Sequence, residues 1–460
     1  MAHAEKVFKV KNGKKTTKYT WRVRYKKPDG TWGSEPGFPT KKLAEDWGEQ
    51  QEAAIRSGMW IAPEKLQTPL GEWVKIWKTA NQKRPRTQSS RAYLLDKLLL
   101  PEWGHTPLHE VNNVFIVKAW ATRMAKPHGK HDPDTVAQAR SLLSTILSGA
   151  EDAGYIPANK LYGRRILVGS DHHDEEEEVW AQPDEIYRIS QRLDGVHALM
   201  PLADCYLGLR WGELAGLHRD NCLLKREDRI DGKPFVRHVV RVDPKVGSLH
   251  EDTFELDEDG LQEWHRAEDA RLEEYRAKGW KANRRKAPKN VVKLYLGPPK
   301  NKYSAREVDV PEFLVRLLAE HIEAWPHEHP FSTPGGQFWR RGNFTRAQLR
   351  PAADGREAIE RKKGFAGREA WEPVLPGFTM RGARHTHDTW MKDDGVDRAL
   401  RFLTMGWVPK DIEGTYEHVT PEMRRHRLQR LEARWERGQR VARRAGVETS
   451  EESISRGSPK

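Results

Sequence analysis

The sequence has little cysteine and no long apolar run. Its 460 residues include only 2 cysteines, Cys205 and Cys222, which excludes a disulfide-stapled scaffold and a four-cysteine zinc module. No segment approaches the roughly 18 consecutive apolar residues that a membrane-spanning helix needs. The first fifteen residues, MAHAEKVFKVKNGKK, lack the apolar stretch of a secretory signal. We therefore expect a cytoplasmic protein that has no membrane partner.

Three common catalytic motifs are also missing. The sequence contains no GxxxxGK[ST] phosphate loop, no HExxH zinc helix and no GxSxG nucleophile turn. His172 and His173 stand together, but no thiol or second histidine pair accompanies them at zinc-ligand spacing. The sequence therefore predicts no bound metal and no cofactor.

The charge balance is strongly basic. Lysine and arginine number 80 against 67 aspartates and glutamates, which leaves a net charge of +13. Such an excess favours a polyanionic partner, although a basic surface without special function gives the same total. Length and composition together predict a multidomain protein that binds nucleic acid.

The chain divides into segments of different pattern, and the predicted fold class is mainly α with small β-sheets (α+β). Residues 1–60 combine an alternating strand over 19–25, a second strand over 31–38 and a helix over 41–56. This basic sheet can lie on DNA or can simply be an αβ cap. Residues 66–160 read as four helices, and the segment PEWG at 101–104 interrupts the helical pattern. The loops between these helices are basic.

The second half is larger. Residues 161–179 form an acidic linker, and residues 446–460 form a disordered tail. Between them, residues 180–440 show strand patterns near 236–242, 291–296 and 306–310, with a charged helical insertion at about 256–286.

Four short motifs in the second half carry candidate chemistry. Arg210 lies in an apolar, glycine-rich stretch, and Glu213 follows one helical turn later, where it can orient the guanidinium or form a purely structural pair. Lys300 lies in a turn between two predicted strands. Arg381 and Arg384 share one helical face, so that both can contact one phosphate. The fourth motif holds two aromatic residues, Trp407 and Tyr416. Each of them, taken alone, is typical of a hydrophobic core.

Taken together and in this order, these residues resemble the tyrosine recombinase (phage integrase) family, whose pattern is Arg…Lys…His-x-x-Arg…His/Trp…Tyr. Arg210 stands in a G-L-R-x-G-E-L setting, Lys300 in PKNKYSAREVDVP and Arg384 before His-Thr. Trp407 precedes Tyr416 by nine residues, and Arg384 precedes it by 32. The segment LLLPEWGHTPLHEV resembles the P-x-x-G-x-x-x-L segment of the family's helical domain.

The resemblance implies an arm-type DNA-binding domain over 1–60, a helical core-binding domain over 66–160 and a catalytic domain over 180–440. It implies a site-specific integrase of a phage or conjugative element, in which Tyr416 forms a 3′-phosphotyrosyl bond and Lys300 protonates the leaving oxygen. No ATP or metal ion is then required. The implied partners are double-stranded DNA attachment sites and three further protomers in a tetramer, with a directionality factor and a host DNA-bending protein as candidates. The resemblance also implies association with the bacterial nucleoid.

Two departures from the family pattern keep alternatives open. Arg381 replaces the usual histidine and cannot act as a base, so either no base is needed or His385 or His387 substitutes. The 90-residue step from Arg210 to Lys300 holds the charged insertion. The alternatives are a catalytically decayed DNA-binding regulator and a type IB topoisomerase or resolvase. The arginine-rich segment 421–445 can dock on a neighbouring protomer, on DNA or on its own domain.

Overall fold

A computed structural model of the chain describes residues 2–11, 14–164, 178–230, 233–360, 367–408 and 418–446. These residues form two compact units, one on each side of segment 165–177, and each unit has its own hydrophobic core. Most of the predicted acidic linker, including His172 and His173, and nearly all of the predicted tail lie outside the described residues. Within the described residues, no helix is both long and apolar enough to cross a bilayer.

The first unit begins with a three-stranded antiparallel sheet. Its strands are β1 (His3–Lys11), β2 (Lys14–Lys26) and β3 (Trp32–Phe38), in the order β1-β2-β3, and helix α1 (Lys41–Arg56) packs on them. Thr40 caps α1 because its hydroxyl accepts the N–H of Leu43. Val23 and Ala44 are fully buried between sheet and helix. The sequence patterns predicted β2, β3 and α1 but missed β1.

Helices make up the rest of the first unit. They are α2 (Pro63–Leu66), α3 (Leu70–Ala80), α4 (Pro85–Leu94), α5 (Leu100–Trp103), α6 (Leu108–Val111), α7 (Val114–Met124) and α8 (Pro133–Asp152). Four tryptophans are buried in their core: Trp73, Trp77, Trp103 and Trp120. A mainly helical layer was predicted here, and the structure has it.

The helical pattern was predicted to break at residues 101–104, and the structure ends the helix at Trp103, within that segment but after Pro101. A π-helical turn, Leu95–Leu99, joins α4 to α5, so the chain stays helical to Trp103. The N–H of Leu100 donates to Leu95 O, five residues back, and Pro101 then occupies the first turn of α5. Because a first-turn proline needs no hydrogen-bond acceptor for its nitrogen, the helix continues past it.

The second unit is a mixed α/β body. Its helices are α9 (Pro183–Gln191), α10 (Val196–Leu207), α11 (Trp211–Ala215), α12 (Glu258–Ala277), α13 (Glu312–Ala324), α14 (Arg341–Phe344), α15 (Arg350–Asp354), α16 (Met380–Asp393), α17 (Arg398–Met405) and α18 (Pro421–Arg444). Its strands are β4 (Cys222–Ile230), β5 (Lys233–Val242), β6 (Ser248–Glu255), β7 (Asn290–Gly297) and β8 (Arg306–Asp309).

Two antiparallel sheets order these strands. One has the order β4-β5-β8, and the other pairs β6 with β7, with Ser248 opposite Gly297. The insertion therefore comprises β6, α12 and β7, and it is larger than the charged segment 256–286. Since β7 and β8 belong to different sheets, Lys300 lies in a connection between sheets and not at the tip of a hairpin.

Helix α18 packs on its own unit. The ring of Trp435 stacks on Phe313 with the ring centroids 4.4 Å apart and the planes at 9°. Nε of Arg434 donates to Oδ2 of Asp394 at 2.7 Å. Because Trp435 and Leu431 belong to the main core cluster, this segment is part of its own protomer's domain.

Candidate active site

Arg210 lies where α10 gives way to α11. Gly208 ends α10 with a φ of 63°, a left-handed conformation that suits glycine. Arg210 then caps α11, and its backbone N–H donates to Oε2 of Glu213 at 3.0 Å. Its side chain donates to Oε1 of Glu213 at 2.7 Å and to Oγ of Ser304 at 3.0 Å. Glu213 thus fixes both the backbone and the guanidinium of Arg210.

A second arginine, Arg306, shares the carboxylate of Glu213. Nη1 of Arg306 lies 3.0 Å from Oε2 of Glu213, and both side chains are 1% exposed. Burial alone would raise the pKa of Glu213, but the guanidiniums of Arg306 and Arg210 outweigh it and hold that pKa below the usual value. Glu213 is therefore ionised at neutral pH.

Arg384 enters the same cluster from α16, whose N-terminus is capped by Thr379. Its Nη1 donates to Gly208 O at 2.6 Å and lies 4.0 Å from Oε2 of Glu213. Burial, and then the charge of Arg210, lower the pKa of Arg384 to about 10, which leaves the group protonated at neutral pH. Three guanidiniums therefore surround one ionised carboxylate.

Three successive carbonyl groups at the end of α17 hold these three guanidiniums. Thr404 O accepts from Nε of Arg306 at 2.6 Å, Met405 O accepts from Arg384, and Gly406 O accepts from Nη2 of Arg210 at 3.2 Å. The C-terminal end of a helix carries partial negative charge and favours cations. Neutral carbonyls orient the arginines without cancelling their charge, so the cluster keeps a net positive charge for an anion.

One further acid lies beside the cluster. Asp204 on α10 is fully buried, and neither carboxylate oxygen has a hydrogen-bond partner among the described residues. Burial raises the pKa of Asp204 well above its usual value, although the charge of Arg384 opposes the shift. Burial therefore weakens the tendency of Asp204 to ionise beside the arginines.

The cluster opens into a cleft of about 900 Å³. Arg210, Trp211 and Arg384 line it, and so does Arg381. Six arginines and a single carboxylate, that of Glu178, are among the lining residues. Such a cleft suits a polyanion, since cationic walls concentrate negative charge.

Arg381 shares this cleft with Arg384 but has a different environment. Its side chain is 84% exposed, and its Nε lies 2.9 Å from Oε2 of Glu178. Arg384 is held by backbone carbonyls, whereas Arg381 is paired with an acidic side chain and is mostly exposed. The two arginines predicted to share one anion therefore line one cavity.

Three further predicted residues are not brought into the cleft. Lys300 is exposed and is not among the residues that line the cavity. Trp407 is half-buried and does not line the cavity either; its ring packs edge to face with that of Phe402, with the ring centroids 5.6 Å apart. His385 is half-buried on α16. Tyr416 lies in segment 409–417, outside the described residues, and its position relative to the arginines stays a prediction.

His387 does not suit the role of a substitute base. It is fully buried, its Nδ1–H donates to Cys205 O at 2.9 Å, and its Nε2 accepts from Arg427 at 3.2 Å. Burial, followed by the charge of Arg427, lowers the pKa of His387 well below the usual value. The suggestion that His387 replaces the missing histidine is therefore wrong, because both ring nitrogens are engaged in the core.

Sequence reasoning did not assign roles to Arg306, Ser304 or the end of α17. The only available signal for Arg306 was its place in the stretch SAREVDVP after Lys300. Among the described residues, no group of three or more His, Cys, Asp or Glu side chains could hold a metal ion.

Comparisons with known proteins give two kinds of similarity. A putative prophage phiRv2 integrase of Mycobacterium tuberculosis, strain CDC 1551 / Oshkosh, is 26% identical over 212 residues, which is 45% of this chain and 54% of that protein. The same integrase in strain H37Rv matches equally. The chain thus spans about half the length of these relatives. No protein family model matches the chain.

A solved structure shows the fold. The Tn1549 transposon integrase in complex with a circular intermediate DNA is 16% identical, with a TM-score of 0.50 over 79% of this chain and 99% of that chain. At this identity the likeness concerns the fold alone. The chain therefore shares the fold of this transposon integrase, and the predicted resemblance to the integrases is confirmed.

Proposed function

We propose that the chain is a site-specific DNA recombinase, an integrase that cleaves and rejoins DNA through a 3′-phosphotyrosyl intermediate. One observation carries the proposal: Arg210 and Arg384 line an arginine-rich cleft and are held there by neutral carbonyls and one shared carboxylate. Such preorganised donors suit a phosphodiester, whose transition state gains charge on its nonbridging oxygens. The similarity to a prophage integrase supports the same conclusion.

The proposed chemistry assigns one role to each group. Arg210 and Arg384 hold the nonbridging oxygens, and Arg381 adds a further donor from the exposed side of the cleft. The phenolic oxygen of Tyr416 attacks phosphorus while its proton passes to solvent. The bond from phosphorus to the 5′ oxygen breaks, and Lys300 protonates that oxygen. The indole N–H of Trp407 is a second candidate for that further donor.

The same proposal makes ATP and metal ions unnecessary. The phosphotyrosyl bond retains the energy of the broken phosphodiester, and a 5′-hydroxyl of a second duplex reverses the attack. Guanidiniums supply the positive charge that metal ions supply in other phosphoryl-transfer sites. We therefore expect cleavage and rejoining to proceed in EDTA.

The partners and domains form part of the proposal. Residues 1–60 bind arm-type DNA, residues 66–160 bind the core site, and residues 180–440 carry catalysis. Four protomers act on two DNA attachment sites, assisted by a directionality factor and a host bending protein, to integrate or excise a mobile element.

A covalent-trapping experiment tests this function. Duplexes that the protein binds are first selected from DNA flanking its own gene, and each is then nicked near the protected centre so that the cleaved end diffuses away. In EDTA without ATP, we expect a denaturant-resistant adduct with the wild type and none with Tyr416→Phe. Selective binding without any adduct would contradict a recombinase and favour the decayed DNA-binding regulator.

A further inference from the structure

One basic stretch of the chain is not used by the proposed chemistry. Residues 329–353 contain no aspartate or glutamate but include four arginines, Arg340, Arg341, Arg346 and Arg350. This stretch forms α14, the π-helical turn Thr345–Leu349 and α15, and it supplies a wall of the cleft.

The π-helical turn directs part of this stretch into the cavity. The N–H of Arg350 donates to Thr345 O, five residues back, so these two residues lie on one face of the helix. Both line the cleft, as do Arg346 and Arg341. Isolated π turns occur often at functional sites, where they re-aim side chains.

The three arginines on this wall keep much of their charge available. Among the described residues, no carboxylate contacts the side chain of Arg341 or Arg346, and Arg346 donates to the neutral amide of Asn343 at 3.1 Å. Arg350 also reaches Oδ2 of Asp354 at 2.8 Å, and this pair is partly exposed. Arg340 is different, because its Nε lies 3.3 Å from Oε1 of Glu251 on β6.

We infer that Arg341, Arg346 and Arg350 form a second phosphate subsite, which binds the DNA backbone beside the phosphate held by Arg210 and Arg384. This inference rests on the proposed function and extends its binding site. The two sets of arginines share one cavity, so a strand whose phosphate reaches the first set presents neighbouring phosphates to the second. Guanidiniums in such a cavity meet the backbone rather than the base edges.

Gly342 offers a way to test this subsite without removing an arginine. It lines the cleft, and a Cβ added to it would meet no atom within 4 Å. Gly342→Glu therefore adds a carboxylate to the wall of the cleft that carries the three arginines, at a position with room for the new Cβ. Gly342→Gln is the matched control, since it has nearly the same shape and no charge.

The measurement is equilibrium binding of full-length protein to duplex DNA across a range of salt concentrations. We expect Gly342→Glu to bind at least about fivefold more weakly than Gly342→Gln at low salt. In the double variant Arg346→Gln/Arg350→Gln, the slope of log K against log salt should fall by about 2, since each phosphate contact contributes roughly 0.9. The thermal melting of each variant establishes that it is folded.

Two DNA sequences complete the test. Equal losses on a selected attachment site and on an unrelated duplex support phosphate binding. A loss confined to the attachment site would show base reading and overturn the inference, and so would unchanged affinity and slope. Formation of the covalent adduct on Tyr416 of the wild type is measured in parallel. The failure of the proposed recombinase function is thereby distinguished from the failure of the proposed phosphate subsite.

Discussion

Glu213 and Arg306 are 93 residues apart in the sequence, yet they form a fully buried ion pair at 3.0 Å. The same carboxylate binds the backbone and the side chain of Arg210. Glu213 therefore couples the stability of the second unit to the orientation of a proposed catalytic arginine. Removing its charge would leave a buried guanidinium without its counter-ion.

Glu213→Gln tests this coupling. We expect a loss of about 3 kcal/mol in unfolding free energy at pH 7, hence a Tm lower by roughly 6–12 °C. Because the folded-state pKa of Glu213 is lowered, its stabilisation is present above its unfolded pKa and disappears as the pH falls through the folded value. The melting curves of wild type and variant should therefore converge in acid. Glu263→Gln, at an exposed position on α12, is the control and should leave the Tm unchanged.

We expect Arg384 to neutralise the negative charge of the phosphate during cleavage, and not merely to contribute to DNA binding. Arg384→Ala is expected to lower the cleavage rate by about 10²-fold or more, since one preorganised donor to a developing oxyanion has that effect. A methylphosphonate at the scissile position lacks the negative charge that Arg384 neutralises. The variant should therefore cleave this substrate faster than the natural phosphate, whereas an equal defect on both substrates would contradict the assigned role.

Trp435 should stabilise its own protomer. Trp435→Ala removes the ring stacked on Phe313 and is expected to cost about 3–5 kcal/mol in unfolding free energy. Because α18 packs on its own unit, the decrease in Tm should be the same at protein concentrations a hundredfold apart. A decrease that depends on concentration would instead show that this helix docks between protomers.

The buried imidazole of His387 predicts that the stability of the folded protein depends on pH in mild acid. Its folded-state pKa lies well below 6.5, so the unfolded chain binds a proton first as the pH falls. Wild-type stability should decrease by about 1 kcal/mol between pH 6.5 and 5.5 through this group, because one pKa unit corresponds to 1.36 kcal/mol. His387→Gln lacks this dependence, so its difference in Tm from the wild type should narrow over that range. A constant difference would contradict a neutral buried imidazole.

Much of the local structure could be predicted because it depends on local signals. The helix from Lys41 to Arg56 begins at a threonine cap and ends before Ser57-Gly58, and the structure has those bounds. The predicted strands near 236–242, 291–296 and 306–310 correspond to β5, β7 and β8. Their alternating or β-branched patterns need no knowledge of their partners.

Features that depend on distant partners could not be predicted. The pairing of β5 with β8 across the insertion, the stacking of Trp435 on Phe313 and the burial of His387 are set by tertiary contacts. Pro101 alone is typical of a helix end, but after the preceding π-helical turn the helix continues through it to Trp103. Arg210 and Glu213 were found because they are three positions apart, whereas Arg306 reaches the same carboxylate from 93 residues away.

The most direct test of the central claim is to identify the atoms of the covalent bond. Trapped adducts are digested with trypsin, and the peptide that carries the oligonucleotide is located by mass spectrometry. The account predicts one modified residue, Tyr416, joined to a 3′-phosphate, with a free 5′-hydroxyl on the released strand that a polynucleotide kinase can label. An adduct on another residue, or a tyrosine joined to a 5′-phosphate, would contradict it.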